Sequence, residues 1–124
     1  MARLGSPVLG PKELEAALRG APGALVVHDT YGVCQWAGGV LLEELGHGTD
    51  EWIGAQGHDL FHPDDEAEAM ANHERLLEHG EASIRQRLRS RNGWAWVRID
   101  SRIVKAPERL IVSTVRLDET PEAP

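Results

Sequence analysis

Five residues within eight positions could ligate a metal or move a proton: His58, Asp59, His62, Asp64 and Asp65. Imidazole and carboxylate are ordinary zinc ligands. The two histidines stand four apart, a spacing that shares a face only if the segment is helical. Pro63 argues for a turn there. The cluster is therefore expected to cap and charge-stabilise a following helix and to hold no metal. Cys34 lies in a β-type stretch and reads as a small buried hydrophobe. No nucleophile–base–acid set stands out and no glycine-rich phosphate loop is present, so catalysis is not expected. Three polar residues, Gln86, Ser101 and Ser113, fall at inward strand positions. Buried polar groups need partners, so these three either bond each other or water, or they orient the polar atoms of a ligand.

The totals limit what such residues can serve. The 124 residues suffice for one domain with a core. A net charge of −7 argues against nucleic acid as a partner. No apolar run reaches the length of a membrane span, and the start lacks a signal-peptide stretch. One cysteine excludes an internal disulfide and fits a reducing cytoplasm. The charge is divided along the chain. From Glu43 to Glu81 twelve acids accompany one base, Arg75; from Ala82 to Arg109 eight bases accompany two acids. Two solvated faces that attract each other weakly explain this, and a surface that docks an acidic partner or a second copy would also do so.

The elements that must position these groups are legible in order. Residues 1–21 form an arm ending in a short amphipathic helix, Pro11 to Gly20, with Leu14, Ala17 and Leu18 as its apolar stripe. Ala24–His28 and Val33–Trp36 form a hairpin around Asp29-Thr30-Tyr31-Gly32. Val40–Leu45 is a short helix, and Thr49 can cap another turn. The longest helix starts at Pro63 and stops at Gly80, with Met70, His73 and Leu77 on its inward face. Two alternating arms then flank Arg91-Asn92-Gly93, where Asn-Gly predicts a tight type I′ turn. Ile84, Gln86 and Leu88 point one way, while Arg85, Arg87, Arg89 and Arg91 form a solvated outer stripe. Val97, Ile99 and Ser101 oppose Trp94, Trp96 and Arg98. Arg109–Arg116 is a last strand, and residues 121–124 are a tail. Strands at both ends with helices between predict an α+β fold with an antiparallel sheet.

Four motifs carry a resemblance over residues 22–120. They are Trp36 with Leu42-Glu43-Glu44-Leu45-Gly46 and Glu51-Trp52-Ile53-Gly54; Leu60-Phe61-His62-Pro63-Asp64-Asp65; Arg91-Asn92-Gly93 with Trp96-Val97; and Asp118-Glu119-Thr120. In this order and spacing the chain resembles a PAS domain with its PAC half. The resemblance implies a five-stranded antiparallel sheet, with short helices and one longer helix on one face. A cavity would lie between the long helix and the sheet. Its candidate lining is Met70, His73, Leu77, Ile84, Gln86, Leu88, Val97, Ile99, Ser101 and Ser113. The other face, with Trp94, Trp96, Leu110 and Val112, would be covered by the Leu14/Ala17/Leu18 helix or by a second subunit. Asp118 and Thr120 would carry a signal out. Gly38-Gly39 stand where the family often starts a helix with Asn, which predicts a looser helix start.

Cofactors are left open by the resemblance. Haem-binding members carry a histidine on the long helix, but nearer its start than His73. Flavin-adduct members carry a cysteine where this chain has Gly57-His58-Asp59. Both cofactors are therefore disfavoured. The expected role is a non-catalytic, cytoplasmic sensory module. It would bind a small ligand or a partner protein, form a homodimer and pass the change to an output domain through its termini. The rival is a ligand-free module that only pairs chains, and a haem- or metal-binding domain is a distant third.

Overall fold

The computed structural model describes residues 22–47, 49–55, 59–105 and 108–118, together with Lys12, Ala16 and Ala17. Of the predicted cover helix, Leu14 and Leu18 fall outside these residues, as does Thr120, and Ala17 is exposed. Five strands form one antiparallel sheet in the order β2-β1-β5-β4-β3. They are β1 Ala24–Asp29, β2 Cys34–Gly38, β3 Glu81–Ser90, β4 Gly93–Lys105 and β5 Arg109–Leu117. Between β2 and β3 lie α1 Val40–Glu44, α2 Thr49–Trp52, a 3-10 turn Pro63–Asp65 and α3 Glu66–His79. This is the α+β architecture expected.

Alternation decides which face is dry. In β3 Ile84, Gln86 and Leu88 are buried, and in β4 Val97 and Ile99, while the residues between them are more exposed. The register sets Ile84 opposite Ile99 and Gln86 opposite Val97. It then sets Ser101 opposite Ser113 on β5. The inner face is roofed by two helices at opposite ends. At one end α1 lies against β1, and its Leu41 and Leu42, with Leu45 just after it, join Ala24, Ala37, Leu88 and Val97 in the buried core cluster. At the other end α3 lies over β3, with Asn72 and Leu76 as its buried residues.

Two turns differ from expectation. The hairpin pairs Ser90 with Gly93, so Arg91-Asn92 is the two-residue loop. Asn92 keeps a negative φ and only Gly93 is positive, at 132°. A type I′ turn needs positive φ at both loop residues, so the turn is not of that type; Gly93 takes up the unusual backbone angle as the second strand begins. The α1 start is tight, not loose. Gly39 has φ 117°, and a Cβ there would collide with the Gly23 carbonyl and lie 2.7 Å from the Ala24 Cα. The glycine is required because one backbone crosses directly over another; Leu41 N–H then bonds the Gly23 carbonyl at 3.0 Å.

Candidate functional site

The long helix is fastened to the sheet at both ends. At its start, the His62 ring nitrogen Nδ1 accepts the Asp64 N–H at 3.0 Å and caps the 3-10 turn. Asp65 does not cap; its carboxylate accepts from Arg87, at 2.8 Å from the backbone N–H, 3.1 Å from Nε and 2.7 Å from Nη2. These bonds hold the Asp65 carboxyl below the usual carboxylate range. Residues 60–62 add a short rung to the β3 edge, with Arg89 N–H on the Leu60 carbonyl at 2.9 Å and His62 N–H on the Arg87 carbonyl at 3.1 Å. At its end, Gly80 caps α3, and its carbonyl accepts from Ile103 N–H at 2.9 Å. Of the His58–Asp65 cluster, His62, Asp64 and Asp65 thus serve the helix junction. His58 lies outside the described residues, and among those described no group of three or more side chains could hold a metal ion.

Between α3 and the sheet the structure holds a cavity of about 600 Å³. Its walls are chiefly apolar, with Val26, Leu60, Phe61, Leu76, Ile84 and Ile99 among them. Polar groups interrupt these walls. Ser101 and Ser113 hydroxyls bond each other at 2.7 Å. Asn72 is 7% exposed and its Oδ1 has no partner; Trp52 is 3% exposed and its Nε1 has none. His28 Nδ1 is likewise buried and unpartnered. Burial, and then the nearby His73, push the His28 imidazole below its ordinary pKa. Cys34 also lines the cavity, with its thiol raised by burial.

Of the sequence-predicted lining, His73, Ile84, Gln86, Ile99, Ser101 and Ser113 meet here. Met70 also lines the cavity, though it is 61% exposed; Leu77 is 40% exposed and does not line it. The inward stripe of α3 is Ala69, Asn72, His73 and Leu76, one residue round from the predicted face, because the helix buries Asn72 and leaves Met70 in solvent. Leu88 and Val97 are not lining residues either. Both are fully buried in the core cluster and do not line the cavity. His28, Trp52 and Asn72 were missed. The first was legible, since Ala24, Val26 and His28 alternate onto one face.

The outer face is not a bare arginine stripe. The Arg85 and Arg87 guanidiniums stack over Trp96 at 4.1 and 4.9 Å from its ring centre, and Arg89 lies 5.8 Å from that of Trp94. Trp94, 41% exposed, also leans on His62, with ring centres 4.7 Å apart. Arg85 and Arg98 face each other across β3 and β4. Like charges so placed repel, and Asp118 relieves this, with one oxygen 3.4 Å from Arg85 Nε and 3.3 Å from Arg98 Nε. Trp96, Leu110 and Val112 are half-buried on this face. No helix among the described residues is long and apolar enough to cross a membrane.

A family model described as the PAS fold matches residues 36–115. No curated protein matches the chain in sequence. Solved structures are similar in fold. The PAS-B domain of Drosophila melanogaster Cycle with bound ethylene glycol is 18% identical, with TM-score 0.69, over 77% of this chain and 99% of that one. The PAS domain of an HTR-like protein from Haloarcula marismortui is 16% identical, with TM-score 0.73, over 86% and 90%. A domain of a sensory box sensor histidine kinase/response regulator from Geobacter sulfurreducens is 18% identical, with TM-score 0.69, over 85% and 91%.

Proposed function

The chain belongs to the PAS fold family, and on that premise we propose that it is a non-catalytic, cytoplasmic sensory module whose input is a small molecule held between α3 and the sheet. The observation that carries the reading is the hollow itself. A cavity of about 600 Å³ is within the range that encloses a drug-sized ligand.

The hypothesised relay uses the fastenings of α3. Both join the helix to the β3–β4 hairpin, through Asp65–Arg87 and Gly80–Ile103. A ligand that favours one seating of α3 shifts that hairpin only by its differential affinity for the two seatings. On the far side of the same hairpin, Arg85 and Arg98 hold Asp118 at the end of the last strand. The change would leave there, towards Thr120 and an output domain or partner, with Trp94, Trp96, Leu110 and Val112 as the homodimer surface. The exposed Trp94 also favours the second reading, a ligand-free pairing module.

Native mass spectrometry of untagged protein separates the two. A dimer that retains a small molecule is expected. A dimer of bare chain mass would favour the pairing module, and a bare monomer would overturn both.

A further inference from the structure

Two imidazoles line the cavity from different walls, His28 on β1 and His73 on α3. His28 takes the inner face by alternation with Ala24 and Val26. In the register it stands opposite Cys34 on β2 and Ile111 on β5. Neither offers it a charge, since the Cys34 thiol donates to the Trp36 carbonyl at 3.4 Å and burial raises it further from ionisation. On β5 the next inward residue, Ser113, is engaged with Ser101. Asp29 follows His28 in the chain and favours a charged ring. Its oxygens, however, serve the β1–β2 turn: they accept from Tyr31 N–H at 2.9 Å and Val33 N–H at 3.0 Å, with Gln35 Nε2 at 3.5 Å. From the helix side the lining carboxylates are Asp65, bound by Arg87, and the exposed Glu66 and Glu74. His62 lines the cavity too, but at the helix start, where it caps the 3-10 turn.

Burial outweighs Asp29. A charged His28 would be desolvated, would stand beside His73, and would carry an unanswered donor at its enclosed Nδ1. The residue as a whole stays partly accessible. An uncharged apolar occupant of the cavity displaces water from this wall and makes charging the ring costlier still. We infer that acid regulates this cavity: protonation of His28, beside His73, and binding of an uncharged apolar ligand oppose each other, so that acidification releases the ligand. This rests on the ligand-binding reading above. The opposition is reciprocal, since the ligand must weaken the proton by the same factor as the proton weakens the ligand. Because the folded ring is held below the ordinary histidine value near 6.5, binding is full above that value and is lost as pH falls through the lowered one.

Indole, uncharged throughout this range, is the probe. It is titrated by NMR into the isotope-labelled full chain at about pH 8 and about pH 5, on either side of the ordinary histidine value. Binding weaker by about threefold or more is expected at the lower pH. The His28 ring, followed by its own carbon signals, should titrate at lower pH when indole is present. His73→Gln should move that titration upward. His28→Asn should bind indole and lose the pH dependence, whereas His62→Asn should keep it. The ring titration of the parent decides the matter if a variant does not fold. Indole bound equally well at both pH values, or a His28 titration that indole leaves in place, overturns the inference and leaves the ligand-binding reading standing. No indole binding at either pH at millimolar concentration overturns both.

Discussion

The two ends of the inner sheet face are built from the same strands and behave differently. One part of the face carries Ala24, Ala37, Leu88 and Val97, which share a buried core cluster with Leu41, Leu42 and Leu45. His47 stitches that end shut, its Nε2 donating to the Arg89 carbonyl at 2.5 Å, while Arg91 N–H bonds the Leu45 carbonyl at 2.8 Å. Under α3 the same strands deliver His28, Gln86, Ser101 and Ser113, and the helix stands off over a hollow. One part is filled by side chains; the other borders the cavity.

The comparison can be broken at either end. The largest effect belongs to the packed end: Leu88→Ala should cost about 2–5 kcal/mol, read by chemical denaturation, since the site is fully enclosed. A loss under about 1 kcal/mol would show that this end is loosely packed after all.

Asp65→Asn tests the fastening between roof and sheet. It should cost about 1.5–3 kcal/mol at neutral pH, the range for hydrogen bonds to a charged group. Because the folded carboxyl is held below its unfolded value, its contribution is complete above the ordinary range near pH 3.9. It is lost as pH falls through the lowered folded value. The variant's stability should therefore fall less than the parent's on acidification.

Asn72→Leu reverses the sign. Removing the buried, unpartnered Asn72 Oδ1 should stabilise the chain, by about 1 kcal/mol or more. The same Asn→Leu exchange would be destabilising if the amide were already satisfied. The smallest effect is expected at the rim, where Arg102 and Glu81 pair at 3.1 Å but stand 71% and 68% exposed. Arg102→Ala should change stability by less than about 1 kcal/mol.

The packed end was easier to read in the sequence than the hollow one, for a physical reason. Where side chains fill the space, hydropathy and position agree: Leu88 and Val97 fall on the buried face by alternation, and the strands and their partners follow. A polar-lined hollow breaks that agreement. Ranking α3 residues by hydropathy selects Met70 and Leu77, yet the helix turns Asn72 inward and leaves both in contact with water. Trp52 reaches the cavity from a helix far from α3 in sequence, a contact no local pattern encodes. The arginines failed in the opposite sense. A charged alternation reads as solvated, but Trp96 on the facing strand and Asp118 after β5 give Arg85 and Arg87 partners that only the register reveals.

The central claim is that the hollow end, and not the packed end or the tryptophan face, receives the ligand. Intermolecular NOEs from a small apolar probe, indole at millimolar concentration, to methyl-labelled protein test it directly. Contacts to Leu76, Ile84 and Ile99, with silence at Leu42, Leu88 and Val97, are predicted. Contacts confined to Leu110, Val112 or the packed end would contradict it.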